Sequence, residues 1–290
     1  MSLIGEGAIS KVYKLNSSIV VKRARIGVDE EVDHATEQKI LQMLKKCRDQ
    51  SYLIRCFYVR KNDTFLEYAV NGSVATLLDQ NRHYDAQGNL SVSRYIDRSL
   101  VCQWMKQLSL AAKSLEEIGL AHGDICPRNL LLDSKWNLKL SDFDRTVRVG
   151  DDCLPIGAPF GRLLSDEDRG DTGTYGEAGV RTETFAIGST YYTLLRGHEP
   201  YETEFCGDQH FVILQEKFQR KEFPLLDTSA ADLVIRKCWY GEYRSVGELS
   251  LEFPAYGPEG SCEEHEEWLN LREMECKRFI EEGIVETLPR

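Results

Sequence analysis

The sequence predicts an α+β chain of two lobes, a strand-rich one followed by a helix-rich one. Three observations predict it. The 290 residues are 42% hydrophobic and 29% charged, an ordinary globular composition; at that length the prior is about two compact units. Short β-type runs crowd the first 70 residues around one helical stretch. From about residue 98 onward, apolar residues recur at helical spacing.

The elements follow in chain order. Residues 10–15 and 18–21 read as strands joined by the turn residues Asn16 and Ser17. Residues 30–46 read as a helix carrying Ile40, Leu41 and Leu44 on one face. Glu30, Glu31 and Asp33 at its start and Lys45 and Lys46 at its end suit the helix dipole. Residues 59–70 read as two strands around the turn Lys61-Asn62-Asp63, and the polar stretch 81–97 as a surface insertion between helices. The next helix carries the stripe Leu100, Trp104, Leu108, Ala111, Ala112 and Leu115, with Gly119 as its stop. Residues 150–182 shift to Gly, Asp and Arg and read as one long loop. Residues 184–195 are apolar and aromatic, a buried helix. The Glu-rich tail opens on Gly-Pro-Glu-Gly and predicts an amphipathic helix over 268–280, with the run Glu263 to Glu282 a solvated face. Trp104, Trp136 and Trp239 read as packing residues.

Lys and Arg number 36 against 47 Asp and Glu, a net charge of −11. That balance argues against nucleic acid and against anionic membrane as partners. The N-terminus MSLIGEGAISKVYK lacks the charged-then-apolar order of a secretory signal, and no apolar run nears the roughly 20 residues of a membrane span. The expectation is a cytoplasmic protein. Nine scattered cysteines form no CxxC pair, so they read as reduced thiols rather than a zinc site.

Four motifs carry chemistry. Gly5-Glu6-Gly7-Ala8-Ile9-Ser10-Lys11-Val12 places two glycines in a strand-turn-strand, where backbone N–H groups can approach phosphate. A strand rather than a helix follows it, so it is no dinucleotide fingerprint. Val20-Val21-Lys22 ends an apolar strand on a cation. Glu37 shares the apolar helix face with Leu41 and Leu44, and a half-buried Glu calls for a cation, Lys22 the nearest candidate. His122-Gly123-Asp124-Ile125-Cys126-Pro127-Arg128-Asn129 sets an Asp and an Asn five residues apart before the apolar Leu130-Leu131-Leu132, fitting a general base and a metal ligand. Leu138-Lys139-Leu140-Ser141-Asp142-Phe143-Asp144 delivers a second Asp from a strand into a turn.

In this order the motifs resemble the protein-kinase family, over roughly residues 3–250. The resemblance implies a two-lobed kinase fold. The β-rich N-lobe with one main helix spans 1–70, the helical C-lobe 71–254 with an activation segment near 142–181, and an acidic helical extension 255–290. It implies ATP held by Gly5, Glu6, Gly7, Val12, Val20, Lys22, Glu67, Ala69 and Leu131, with Leu66 as gatekeeper of the hinge Phe65-Leu66-Glu67-Tyr68-Ala69. It makes Asp124 the catalytic base and Glu37 the partner of Lys22, with Asn129 and Asp142 as ligands of Mg²⁺. His122 is then a packed residue beside Phe143, in a spine with Leu41. Thr182-Glu183-Thr184-Phe185-Ala186-Ile187-Gly188 is similar to the start of a family helix, with Glu183 where the family has an anchoring Asp. Gly197-His198-Glu199-Pro200-Tyr201 and Cys238-Trp239 with Arg244 continue the match, and the run from Arg181 to Glu202 most resembles divergent fungal kinases. The chain departs from the family where Gly123 replaces Arg, Cys126 replaces Lys and Asp144 replaces Gly. These departures put control by loop phosphorylation and acceptor specificity in doubt. No Ala-Pro-Glu motif stands out; Glu177 is the candidate partner of Arg244. The implied activity is transfer of the γ-phosphate to protein hydroxyls, Ser/Thr before Tyr. The alternatives are a pseudokinase interaction module and a small-molecule kinase of the aminoglycoside-phosphotransferase type.

Overall fold

Strand β3 (Ile19–Ala24) is buried along all six residues, and that fact organises the N-terminal lobe. The computed structural model describes residues 1–289 apart from 8, 46, 48, 205–206 and 255–261. β1 (Ser2–Glu6) and β2 (Ser10–Lys14) precede β3, helix α1 (Val28–Leu44) follows it, and β4 (Cys56–Arg60) and β5 (Asp63–Glu67) close the lobe. The five strands form one antiparallel sheet in the order β1-β2-β3-β5-β4. Side chains alternate across it. In register, Lys22 faces Val12 and Thr64, and Val20 faces Lys14 and Leu66. Val20 and Lys22 therefore share the inner face, while Ile19, Val21 and Arg23 point outward.

The outer face is covered by the tail: the amphipathic helix expected over 268–280 is present, and its apolar side has this sheet as its partner. Helix α8 (Cys262–Glu281) and the turn after it place Cys276, Phe279, Val285 and Leu288 against Tyr13, Ile19, Val21, Phe57 and Phe65. Trp268 stands edge-on to Phe57, ring centroids 5.2 Å apart. Arg23 donates to the Leu288 and Val285 carbonyls (2.8 and 2.9 Å) and pairs with Asp63 (2.6 Å). The Tyr13 hydroxyl donates to the Pro289 carbonyl. Among the described α8 glutamates, Glu267 and Glu281 are exposed and Glu275 accepts from Asn16 Nδ2 (2.6 Å), while Cys276 and Phe279 are core.

Lys45 caps α1 at its C-terminal end, so it lies just beyond the last helical turn. Lys46 and the side chains of Glu30 and Glu31 lie outside the described residues.

The second lobe starts with α2 (Val74–Asp79) and the hairpin β6 (Arg82–Tyr84) and β7 (Leu90–Val92), which is the insertion before α3. Helix α3 (Arg98–Glu117) is capped by Asp97, whose Oδ1 accepts from the Ser99 N–H (2.8 Å). It buries Val101, Trp104, Met105, Leu108, Ala111, Ala112 and Leu115. β8 (Leu120–Ala121), β9 (Leu130–Leu132), β10 (Leu138–Leu140) and β11 (Val147–Arg148) pair as two short hairpin-like sheets, β9 with β10 and β8 with β11. Trp136 turns the chain between β9 and β10 with a φ of 62°, leaving its ring substantially exposed. It contributes its carbonyl to Trp104 Nε1 (2.8 Å) rather than its side chain to the core.

Helix α4 (Val180–Arg196) is buried from Thr182 to Leu194. Helices α5 (His210–Gln219), α6 (Ala230–Tyr240) and α7 (Val246–Ser250) complete the lobe. α4 and α6 approach closely at Gly188, where a Cβ would come within 2.5 Å of Cys238 Cβ. The segment 142–181 is mostly irregular. Arg162 ties it with a two-pronged pair to Asp168 (2.7 and 3.0 Å). Glu177 does not pair with Arg244 among the described residues. It is exposed and bridges Asp152 through the backbone, and the Arg244 N–H donates to Glu248. Cys47, Cys56, Cys102, Cys126, Cys153, Cys238 and Cys276 are free thiols. No helix among the described residues is long and apolar enough to cross a membrane.

Candidate active site

The sheet aims Lys22 inward from the middle of β3, and α1 brings Glu37 to meet it. Lys22 Nζ lies 2.7 Å from Glu37 Oε1 and 2.6 Å from Asp142 Oδ1. Lys22 is 7% exposed and Glu37 1%. Burial alone would push the Lys22 ammonium down. The carboxylates of Glu37 and Asp142 outweigh it and hold the group above its ordinary range. Burial pushes Glu37 up, opposed by Lys22. Asp142 is held below the ordinary carboxylate range, because Lys22 overcomes the cost of burial. Its φ of 68° turns the carboxylate back toward Lys22 at the end of β10.

The loop between β8 and β9 presents Asp124. Asn129 Nδ2 donates to the Asp124 carbonyl (2.8 Å) and to Oδ2 (2.9 Å), which leaves Asn129 Oδ1 as an acceptor. His122 is fully buried. Its Nδ1 accepts from the Asp124 N–H (3.2 Å), so Nε2 carries the proton toward the Ser141 carbonyl (3.1 Å). Burial holds it neutral. Its ring meets Phe143 edge-on at 5.2 Å. Glu183, from the first turn of α4, accepts the N–H groups of His122 (2.8 Å) and Gly123 (3.1 Å). Burial pushes this carboxyl up to about 7 against those two donors.

At the mouth of the cleft, Gly5 pairs with Val12 and Glu6 with Lys11 in the β1–β2 register. The Gly7 N–H closes on the Ser10 carbonyl (2.8 Å), and Ala8 lies outside the described residues. The Glu6 carboxylate is exposed and engaged by Arg25 (2.8 Å), so this residue offers the cleft backbone rather than side chain. Val20 is buried and Val12, Leu66 and Leu131 half-buried. Glu67 is half-buried with Oε2 3.8 Å from Lys139 Nζ, and Ala69 is buried at the turn into α2.

A model of the protein kinase domain matches residues 1–154, more than half of the chain. The chain belongs to the protein kinase family. This kinase is 26% identical over 249 residues to citron rho-interacting kinase of Rattus norvegicus, a match covering 81% of this chain and 11% of the rat protein. It is 22% identical over 271 residues to MAP kinase-interacting serine/threonine-protein kinase 2 of Xenopus laevis, covering 80% of this chain and 55% of that one. It is 34% identical over 134 residues to serine/threonine-protein kinase CHK1 of Saccharomyces cerevisiae, covering 42% and 24% respectively. The chain thus spans about a tenth to about half of the length of these curated relatives. Membership decides against the small-molecule phosphotransferase alternative.

The kinase's departures from its family have local causes. Gly123 sits at φ 77°, and a Cβ there would come 2.4 Å from the Arg145 carbonyl oxygen, so no other residue fits this loop as built. Burial pushes the Cys126 thiol up to about 11, so it stays a neutral neighbour of Asp124, 4.0 Å from Oδ1. Arg128 reaches over it, Nη2 to Sγ 3.8 Å. Burial and the nearby Asp142 push Asp144 up to about 6. Beside Asp124 a cavity of about 420 Å³ opens, lined among others by Cys126, Arg128, Ile156, Phe160, Glu199 and Phe211. Sequence reasoning passed over His34, Gln38 and Thr64, which surround Glu37. The one signal was His34 standing three residues before Glu37, on the same helix face.

Proposed function

We propose that this kinase binds ATP with Mg²⁺ between its lobes and passes the γ-phosphate to a Ser or Thr hydroxyl of a protein. The observation that carries the reading is the buried Glu37–Lys22–Asp142 chain, set across from an Asp124 that Asn129 holds in place. Such a chain keeps an ammonium extended and charged in a dry site, where it is worth most to a phosphate.

In this reading Val20 and Leu131 sandwich the adenine, and Glu67 and Ala69 meet its edge through the backbone. Val12 and the backbone of Gly5, Glu6 and Gly7 cover the phosphates, and Lys22 orients them. The acceptor hydroxyl enters from the cavity beside Asp124. Asp124 accepts the hydroxyl proton, the acceptor oxygen bonds to the γ-phosphorus, and the bond to the β–γ bridging oxygen breaks, leaving ADP. The donor set suits a hard dication, since Asn129 keeps a free amide oxygen and Asp142 is ionised. Mg²⁺, when bound, neutralises phosphate charge. The names of the amphibian and yeast relatives support Ser/Thr as the acceptor class.

The test is transfer of labelled γ-phosphate from ATP to the protein itself and to a protein mixture. Wild type should transfer, and Asp124→Asn and Lys22→Met should each lose at least about a hundredfold. Wild type that binds ATP and transfers to nothing, like both variants, would turn the reading to an interaction module.

A further inference from the structure

Beneath the Lys22–Glu37 pair lies a second layer of buried polar groups. His34 precedes Glu37 by one turn of α1 and is 1% exposed. Its Nε2 lies 3.2 Å from Thr64 Oγ1. Thr64 is fully buried on β5, directly opposite Lys22 in the sheet. Gln38 Nε2 donates both to Thr64 Oγ1 (3.0 Å) and to the Asp63 carbonyl (3.3 Å), and these two acceptors fix which end of the amide faces them. Thr64 therefore accepts from Gln38 and has its own proton to give to His34 Nε2.

The neutral ring then carries its single hydrogen on Nδ1. That atom faces Glu37 Oε2 at 4.0 Å. Both atoms are buried and short of a hydrogen bond, while the other Glu37 oxygen is taken by Lys22 and the Phe143 N–H also steadies the carboxylate. The opposite tautomer would aim two lone pairs at each other in a low dielectric, where the repulsion is unscreened. A charged ring is disfavoured as well, since burial and then Lys22 hold His34 down to about 4.

We infer that His34 is a positioning residue of this kinase. As its Nδ1–H tautomer it turns its one hydrogen toward Glu37 Oε2, 4.0 Å away on the same helix, and keeps that carboxylate aimed at Lys22. The hydrogens then point in one direction from Gln38 through Thr64 and His34 to Glu37, which also receives Lys22. The sheet supplies Thr64 and Lys22, and the helix supplies His34, Gln38 and Glu37, so the chain reports whether the two are docked. The inference rests on the proposed use of Lys22 and Glu37 in binding ATP. His122 provides an internal contrast, because its surroundings require the opposite tautomer.

Nitrogen NMR of the histidine-labelled full chain at neutral pH tests the tautomer, with His34→Asn removing and so assigning the signals. His34 should carry its proton on Nδ1 and His122 on Nε2. A His34 protonated on Nε2, or on both nitrogens, overturns the inference. ATP affinity with Mg²⁺ present, measured by calorimetry, tests the consequence. His34→Phe keeps the ring and loses both nitrogens, and should weaken ATP by about tenfold, the worth of one buried hydrogen bond to a charged group. His34→Asn offers an N–H near the place of Nδ1 and should stay within about threefold of wild type. Equal losses in the two variants, or none in the Phe variant, would make His34 mere packing. Failure of phosphate transfer in wild type leaves both readouts intact and overturns only the catalytic reading.

Discussion

At Gly123 one missing methyl group decides the shape of the catalytic loop. The Arg145 carbonyl occupies the space that any side chain would need, and Glu183 holds the Gly123 N–H from the other side. Restoring the family's arginine here is therefore not a repair. Gly123→Ala forces both the positive φ and the 2.4 Å contact, and it should cost about 2 kcal/mol or more, read as a lowered midpoint in denaturant with an unchanged slope. A wild-type midpoint would mean that the loop relaxes freely and that Gly123 carries no constraint. The sequence showed the absence of arginine but not its reason, because the reason is a carbonyl 22 positions downstream whose approach depends on how the segment after Asp142 folds back.

Helix α8 shows how an element's composition can mislead. Glu267 and Glu281 lie on its solvent side, yet Cys276 and Phe279 sit in the core of the other lobe's sheet. The apolar spacing was legible, and so the helix was expected; its partner was not. The partner's own signal lay in β3, where Ile19, Val20 and Val21 are apolar on both faces and so need cover on both. One cover is the cleft with α1, and the tail is the second. Phe279→Ala should cost about 3 kcal/mol by leaving a cavity against Val21 and Phe65, a loss comparable to that of a domain-core aromatic. Chemical denaturation checks it, and a change under about 0.5 kcal/mol, the size of an ordinary surface substitution, would show the tail to be a loose strap. Helices α1 and α3 emerged close to their predicted spans because apolar residues recur there at helical spacing, while the strand pair expected over 59–70 lies at 56–67 and α4 begins four residues before the expected 184. The segment 142–181 has no such period, and its tie through Arg162 and Asp168 could be read only in three dimensions.

Across the whole molecule the same burial that shapes the site sets how stability follows pH. The sequence singled out Lys22, Glu37, Asp124, Asn129 and Asp142 by motif order, and the fold joins Lys22 to Glu37 and Asp142, and Asn129 to Asp124. Their electrostatic cost was not legible, because it depends on desolvation. Glu183 is pushed up to about 7, and Asp144 and Glu199 to about 6. A carboxyl raised in the folded state favours folding while protonated, and that advantage is lost as pH rises through its folded value. Between about pH 4.5 and 7 the folded chain holds the proton on Glu183 that the unfolded chain has released, so this group's contribution falls as pH rises, by up to about 1.4 kcal/mol per unit, and is gone by about pH 8. Below about 6.5 the unfolded chain takes up protons at His34 and His122, which burial keeps neutral in the fold. That uptake opposes the gain from Glu183, Asp144 and Glu199 over the same range, so the two effects offset in the wild-type curve. Further acid removes the contribution of Asp142 and Asp168, both held low in the fold. Thermal midpoints taken from about pH 5 to 8 should therefore show Glu183's share as a difference between wild type and a variant that cannot ionise there. Relative to wild type, Glu183→Gln should gain stability as pH rises from about 5 to 7, and the difference should level off above about 8. If the difference between the two does not change with pH, the proton belongs to another group, and Glu183 is charged in the fold when it holds the His122 and Gly123 amides.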